Sequence, residues 1–179
     1  MIQISDNIQL KPITRNDHVK LMSLMQTIYP PAYKHLWKHE NTDWYLDYSF
    51  NLDNLKSELA NKNAEYYFVL YCLNEAGILR LVHNKPLHEI PERSATFIHR
   101  IYLSEDVQGK GVGKQLMEWS KKQALENSSE LMWLKAMDSQ KQALQFYEKI
   151  GFKTINTYTL DFKLIHKPLR GMVVMYKML

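Results

Sequence analysis

Hydrophobic and polar residues alternate in some segments of the chain and recur at helical spacing in others, and these two patterns predict the strands and the helices. Short runs rich in β-branched and aromatic residues predict seven strands, at residues 8–13, 66–73, 76–82, 94–103, 131–136, 154–164 and 172–178. Segments with apolar residues at helical spacing predict helices at residues 17–28, 52–61, 113–126 and 140–150. Pro30 and Pro31 are expected to end the first helix, and Gly151 to cap the last one. The aromatic segment 33–50 is expected to be irregular.

The order of these elements indicates the fold class. Strands come first as hairpins, with a turn containing Asn74 and Gly77 between the second and third strands, and strands then alternate with helices. We therefore expect an α/β (α+β) fold, with a mixed central sheet of about seven strands flanked by helices. The chain has no internal repeat and no linker rich in Gly, Pro or Ser, so residues 1–179 are expected to form a single domain.

Composition narrows the function classes. The 179 residues are 45% apolar and 23% charged, with a formal net charge of +4 that suits an anionic phosphorylated ligand as well as nucleic acid. Cys72 is the only cysteine and lies in a strand-like run, which favours a small core residue in a reducing cytosol over a catalytic thiol. The N-terminal residues lack a signal-peptide pattern, and no apolar run approaches a membrane span. We expect a cytoplasmic protein with no membrane partner.

The sharpest local motif is a glycine-rich loop between a predicted strand and a predicted helix. Glycines at 109, 111 and 113 remove side chains from a tight turn, so that backbone N–H groups can converge on an anion at the positive end of the helix. The spacing matches neither a Walker loop nor a dinucleotide fingerprint, which would need glycine in place of Lys114. A phosphate cradle and a plain strand-to-helix turn both remain open on the glycines alone.

Two longer segments resemble the signature segments of the GNAT acetyltransferase superfamily. Residues 98–114 read IHRIYLSEDVQGKGVGK, and residues 143–152 read ALQFYEKIGF. The first resembles a strand followed by a pyrophosphate loop of the form Q/R-x-x-G-x-G/A, and the second resembles an A-x-x-F-Y-x-K-x-G-F helix. R-I-Y at 100–102, W-L at 133–134 and M-x-K at 175–177 are similar to the polyamine-acetylating branch typified by the PaiA protein.

This resemblance implies acetyl-CoA as the cofactor and assigns residues to it. The pyrophosphate would lie on the loop amides, the pantetheine arm on the backbone of the preceding strand, and the acetyl carbonyl where that strand and the next one splay apart. The residues so implied are Ile101, Tyr102, Leu103, Gln108, Gly109, Lys110, Gly111, Val112, Gly113, Lys114, Gln140 and Phe146. Gln140 stands where the branch favours asparagine. Lys110 and Lys114, with Lys121 and Lys122, are interpreted as serving the cofactor phosphates, so nucleic acid is not expected as a partner.

Two residues are candidates for acid–base chemistry. Tyr147 matches the family's F-Y tyrosine, which implies proton donation to the departing sulfur; the alternative is a half-buried aromatic on an amphipathic helix. A lysine-like amine titrates near 10.4 and must lose a proton before it attacks, so a base is needed. Strand alternation puts His99 on one face with Phe97, which makes it the candidate base, and Arg100 on the other face as a structural ion-pair partner. A satisfied strand histidine is the alternative for His99.

The acceptor site is expected in the acidic and aromatic segment 40–53. Glu40, Asp43, Trp44 and Asp47 suit a cationic amine, although a solvated loop would look the same. The leading hypothesis is an N-acetyltransferase for a small, polyamine-like primary amine. A protein or peptide N-acetyltransferase and a non-catalytic CoA-binding sensor stay open, as does a homodimer. The seven histidines have no metal-ligand spacing.

Overall fold

Eight strands form one continuous mixed sheet in the computed structural model, which describes residues 1–179. The strands are β1 (Ile2–Ser5), β2 (Ile8–Pro12), β3 (Ala64–Tyr71), β4 (Asn74–Val82), β5 (Ala95–Leu103), β6 (Leu131–Met137), β7 (Lys153–Thr159) and β8 (Gly171–Met178). Their order is β1-β2-β3-β4-β5-β6-β8-β7, antiparallel throughout except for the parallel pair β5–β6. All seven predicted strands are present, and β1 is the additional one.

Five α-helices cover the two faces of the sheet. They are α1 (His18–Tyr33), α2 (Asp43–Phe50), α3 (Leu52–Ala60), α4 (Val112–Glu126) and α5 (Lys141–Lys149). One buried cluster joins the sheet to α4 and α5, and a second joins it to α1, α2 and α3. The prediction of an α/β fold with a mixed sheet flanked by helices is confirmed. No helix is both long enough and apolar enough to cross a membrane.

Three element boundaries differ from the sequence prediction. Helix α1 passes through Pro30 and Pro31 to Tyr33 instead of stopping before them. The proline carbonyls still accept hydrogen bonds, as the Lys34 N–H shows by donating to Pro30 O, and the rings of Tyr29 and Tyr33 stack 4.6 Å apart across this last turn. The segment expected to be irregular contains helix α2, and the strand expected at 154–164 ends at Thr159.

The β3–β4 hairpin turns at Cys72 and Leu73, not around Asn74 and Gly77. Both turn residues have left-handed backbones, with φ of 48° and 69°. The prediction that Cys72 is a core residue is therefore wrong, because the turn exposes its side chain to solvent. Gly77 lies inside β4, where an added Cβ would come 2.1 Å from the Tyr102 carbonyl oxygen, so the close approach of β5 requires glycine there.

Candidate active site

The sheet opens between β5 and β6, and this opening creates the main cavity. The two strands pair only from Ala95–Leu131 to Ile98–Leu134. Beyond that point they diverge, and their backbones no longer pair with each other. A cavity of about 640 Å³ lies in the opening. It extends from α5, at Ala143 and Tyr147, to the aromatic side chains of α1 and α2. The opening lies where the sequence-based expectation put it.

The glycine-rich loop supplies free backbone donors at the start of α4. Gly109 and Gly111 have φ of 74° and 76°, a left-handed conformation that favours glycine. Helix α4 begins at Val112, whose side chain is buried in the core and anchors the loop. The amides of Gly111 to Lys114 have no hydrogen-bond acceptor within the chain, since the first intrahelical bond runs from Gln115 N to Gly111 O. These donors and the helix dipole fit a pyrophosphate.

The strand residues assigned to the pantetheine arm face alternate sides of the sheet beside the opening. Ile101 and Leu103 pack against the core under α4 and α5, and their backbones pair with β4 on one side only. Tyr102 packs on the other face, where its hydroxyl hydrogen-bonds the Tyr45 hydroxyl at 2.9 Å. The β5 edge that faces the opening therefore keeps its backbone groups for a strand-like ligand.

The remaining residues assigned to the cofactor lie around the loop and the start of α5. Gln108, Lys110 and Lys114 are exposed, and the Lys110 amine lies 5.2 Å from the centre of the Tyr71 ring. Phe146 borders the loop, 3.6 Å from where a Cβ would stand on Gly113.

Gln140 lines the cavity, but its amide is already engaged: Nε2 donates to Ala32 O at 3.1 Å and ties the end of α1 to the start of α5.

Tyr147 places a free hydroxyl in the cavity. Helix α5 buries one side of the ring against Phe146 and Phe152, with ring centroids 5.4 and 6.0 Å away. Burial raises the pKa of Tyr147 to about 12, so the phenol keeps its proton at physiological pH. The hydroxyl makes no hydrogen bond within the chain. It is therefore available as a proton donor.

A β-bulge at His99 changes the expected arrangement of faces along β5. Arg80 pairs with Arg100 and Leu81 with Ile98, which leaves His99 as the extra residue. His99 Nδ1 lies 3.6 Å from Glu58 Oε1, and Arg100 NH2 donates to the same oxygen at 2.8 Å. The prediction that His99 and Arg100 face opposite sides is therefore wrong, because the bulge turns both toward α3. Arg100 is an ion-pair partner, as expected.

His99 is neutral in this environment. Burial, which is the largest cause, and the positive charges of Arg100, Arg80, Lys135 and Lys85, in that order of importance, together lower the pKa of His99 to about 3. Arg80 NH1 lies 2.6 Å from Nδ1, and a guanidinium can only donate. Nδ1 is thus the acceptor, and the single ring proton lies on Nε2. A ring in this state is a hydrogen-bond donor toward the cavity and a poor base.

Glu58 is the carboxylate of the cavity, and sequence reasoning missed it. It lies on α3 with a side chain only 10% exposed, between Arg100 and Arg80, whose Nε is 3.8 Å from Oε2. In the sequence, Glu58 is a glutamate on a short amphipathic helix, and a glutamate in such a position is typical of a solvent-exposed helix face. Only the pairing of Arg80 with Arg100 across β4 and β5 shows why that glutamate is drawn inward.

The acidic residues assigned to the acceptor lie outside the cavity. Glu40, Asp43 and Asp47 are exposed, and Glu40 pairs with Lys34 at 3.0 Å. Trp44 is 41% exposed and stacks on Tyr48, with ring centroids 5.0 Å apart. None of these four residues lines the cavity. Helix α2 explains this, since its inner face is aromatic and its carboxylates project from the outer face.

The cavity wall on the acceptor side is built from stacked aromatic rings. Tyr29 stacks on Tyr45 at 4.7 Å, and Tyr33 meets Tyr102 edge to face at 5.8 Å. Burial raises the pKa values of Tyr29, Tyr33 and Tyr102, so these phenols stay neutral. Trp37 closes the wall and donates from Nε1 to the Tyr29 hydroxyl at 3.2 Å. Such a wall accommodates an apolar body of aromatic size.

No group of three or more His, Cys, Asp or Glu side chains is arranged to hold a metal ion. The polar groups that the structure brings together at the site are the Tyr147 hydroxyl, the His99 ring, the ion-paired cluster around Glu58 and the loop amides.

Comparison with known proteins identifies the family to which the chain is similar. The family model described as Acetyltransferase (GNAT) family matches residues 19–152. A protein described as an uncharacterised N-acetyltransferase in the pepI 3′ region of Lactobacillus delbrueckii subsp. lactis is 31% identical over 107 residues, which cover 60% of this chain and 62% of the relative. The match thus spans less than two thirds of that relative's length.

Solved structures share the fold across almost the whole chain. The PaiA N-acetyltransferase of Thermoplasma acidophilum in complex with coenzyme A superposes with a TM-score of 0.72 at 16% identity, covering 96% of this chain and 99% of that one. RimL, a ribosomal L7/L12 α-N-protein acetyltransferase in complex with coenzyme A, gives 0.71 at 16% identity, with coverages of 99% and 97%. The fold, the family match and the signature segments agree: the chain belongs to the acetyltransferase (GNAT) family.

Proposed function

We propose that this acetyltransferase transfers the acetyl group of acetyl-CoA to the primary amine of a small molecule held in the aromatic cavity. The observation that carries the proposal is the continuity of the cavity. One space of about 640 Å³ joins Tyr147 and the opened strands to the tyrosine wall of α1 and α2. A cofactor thioester and an amine can therefore meet in it without a further opening of the fold.

The residues around the opening have distinct roles in this proposal. The amides of residues 111–114 hold the pyrophosphate, and the free edge of Ile101, Tyr102 and Leu103 holds the pantetheine arm. Acetyl-CoA supplies the activated acetyl thioester. Tyr147 holds its proton on an unpartnered hydroxyl within the cavity and donates it toward sulfur.

His99 does not act as the general base in this proposal. Its pKa of about 3 and its protonated Nε2 make it a donor at neutral pH. The same burial and positive charge favour the neutral form of an amine bound beside it, because an ammonium ion there would be repelled as an imidazolium is. The amine therefore binds without its extra proton, which passes to solvent.

The shape of the cavity favours a small molecule over a protein terminus. Its acceptor side is walled by the side chains of Trp37, Tyr45 and Phe162, and the Trp37 ring lies 5.4 Å from that of Tyr45 and 6.4 Å from that of Phe162. The polyamine hypothesis comes from the resemblance to the polyamine-acetylating branch, and the carboxylates predicted to attract a cationic amine, Glu40, Asp43 and Asp47, lie outside the cavity. The single carboxylate inside, Glu58, is already paired with arginine. The test therefore includes polyamines and peptides as alternative acceptors.

The test is a thiol-release assay with acetyl-CoA across small amines, polyamines and N-terminal peptides. We expect turnover with small amines and a fall of about 10²–10⁴-fold in kcat for Tyr147→Phe, at unchanged CoA affinity. Tyr176→Phe is the matched control, since it loses a hydroxyl outside the cavity. Release of thiol with peptides only would contradict the small-molecule proposal. Tight CoA binding without turnover on any amine would favour a sensor.

A further inference from the structure

The polar side of the cavity carries more positive than negative charge. Arg80, Arg100 and Lys135 surround His99, and Glu58 is the one carboxylate among them. Glu58 is shared between the two arginines, so its charge offsets only one of them. Lys135 has no carboxylate within 4.0 Å and lies 5.2 Å from the centre of the Tyr158 ring. The excess charge faces the same space as the tyrosine wall.

Three hydrogen-bond donors of this cluster have no partner in the chain. His99 receives Arg80 NH1 on Nδ1 and keeps an unpartnered N–H at Nε2. Arg100 uses Nε and NH2 on Glu58 and on the Ser49 carbonyl, which leaves NH1 without an acceptor. Lys135 makes no hydrogen bond. All three residues line the cavity: Arg100 is buried, with 7% of its surface exposed, His99 is partly buried, and Lys135 is exposed to solvent. Unpartnered donors beside uncompensated charge are the recognition chemistry of a carboxylate.

The position of this cluster relative to the opening limits the ligand further. His99 follows Ile98 directly, and Ile98 is the last residue of β5 that pairs with β6. An amine that reaches the opening thus lies near His99 and Arg100. A carboxylate on the carbon next to that amine could reach the donors, while a large apolar side chain would extend toward Tyr33 and Tyr45.

We propose that the acceptor is an α-amino acid with a large apolar side chain, whose carboxylate is bound by Arg100, Lys135 and the Nε2–H of His99. This rests on the proposed function and names its substrate class. In the reaction, the neutral amine nitrogen bonds to the acetyl carbon as the carbon–sulfur bond breaks. The nitrogen releases one proton to solvent, the departing sulfur gains one from the Tyr147 hydroxyl, and solvent returns a proton to the tyrosinate. The products are the N-acetyl amino acid and the CoA thiol.

The charge of the ligand separates this class from polyamines. A zwitterionic amino acid adds no net charge to a site that is already positive, and it becomes an anion when its amine is neutral. A polyamine adds several positive charges next to Arg100 and Lys135, with no unpaired carboxylate in the cavity to receive them. The donors of His99 and Arg100 would also stay unpartnered.

The experiment compares three acceptors that differ only at the carboxylate: L-phenylalanine, L-phenylalaninamide and 2-phenylethylamine, with spermidine as the polycation. We expect kcat/KM for phenylalanine to exceed that for the amide and the amine by about 10-fold or more, since hydrogen bonds to charged groups carry that much discrimination. Lys135→Met should remove most of the preference for phenylalanine. Lys153→Met, an exposed lysine on β7 outside the cavity, is the matched control.

Each outcome decides one of the two proposals. Equal kcat/KM for phenylalanine and phenylethylamine, or a preference for spermidine, overturns the amino-acid proposal and leaves the acetyltransferase proposal intact. A Lys135→Met variant that changes the KM of acetyl-CoA for every acceptor alike also overturns it, because the lysine would then serve the cofactor. No thiol release with any amine, in a protein that binds CoA, overturns the function on which the inference rests.

Discussion

The burial of His99 has a measurable consequence for stability at acid pH. Unfolded histidine titrates near 6.5, whereas in the fold the pKa of His99 is about 3. The unfolded chain therefore takes up this proton first as the pH falls, which favours unfolding. The contribution of His99 to the free energy of unfolding is fully present above pH 6.5 and is lost progressively below it. The loss ends near pH 3, where His99 is protonated in both the folded and the unfolded chain. The charges that face the ring are Glu58, Arg80, Arg100, Lys85 and Lys135.

The size of this effect on the free energy of unfolding follows from the shift in the pKa of His99. One pKa unit corresponds to about 1.4 kcal/mol, so lowering the pH from 6.5 to 4 withdraws at most about 3 kcal/mol through this residue. The His99 side chain is 30% exposed, and solvent reduces the effect, so we expect about 1–3 kcal/mol. The perturbation is His99→Gln, since glutamine cannot titrate and its amide oxygen can still accept the hydrogen bond from Arg80.

The assay is urea unfolding at several pH values between 7 and 4 for the wild type and the variant. The wild type should lose more free energy of unfolding than His99→Gln over this range, because carboxylates titrate equally in both. His35→Gln, at an exposed histidine, should behave like the wild type. If the wild type and His99→Gln lose stability in parallel, His99 titrates normally in the fold, and both its neutral state and its assignment as a donor are wrong.

Two further predictions concern the loop and the outer face of α2. Gly111→Asp and Gly111→Asn place side chains of similar size on the same left-handed backbone, and only Asp adds negative charge. Calorimetry should therefore show a CoA affinity at least about 10-fold weaker for Gly111→Asp than for Gly111→Asn. Equal affinities would argue against a pyrophosphate at these amides. Charge reversal at Asp43 or Asp47 should leave the KM for the amine unchanged in steady-state kinetics; a clear rise would restore these exposed carboxylates to the acceptor site.

The sequence was sufficient for features that depend on local periodicity and turn chemistry. Alternation located seven of the eight strands, and the glycines at 109 and 111 predicted a tight turn before α4, which the structure forms with left-handed φ values at both positions. Gly151, with φ of 96°, follows the end of α5 as predicted. These patterns are short-range, so one segment of the chain contains all the information needed to interpret them.

Features set by contacts between distant segments could not be predicted in this way. The bulge at His99 depends on how β4 pairs with β5, and a shift of one residue reverses the side chains beyond it. The inward position of Glu58 depends on two arginines that lie 22 and 42 residues later in the chain. The acidic residues of α2 were assigned by composition, which does not show which face of a helix is buried. The roles of Tyr147 and of the loop residues stay predictions for experiment.

The opening between β5 and β6 also bears on how the protein avoids self-association. A strand edge with free backbone groups is a template on which a second chain can pair, and proteins usually protect such edges with charge, proline or a covering element. Here the free edges face each other inside the sheet, and α5 stands over the opening at Ala143 and Tyr147. The fold thus leaves these strand edges unpaired but keeps them inside the sheet, away from its outer edges, where a second chain could pair.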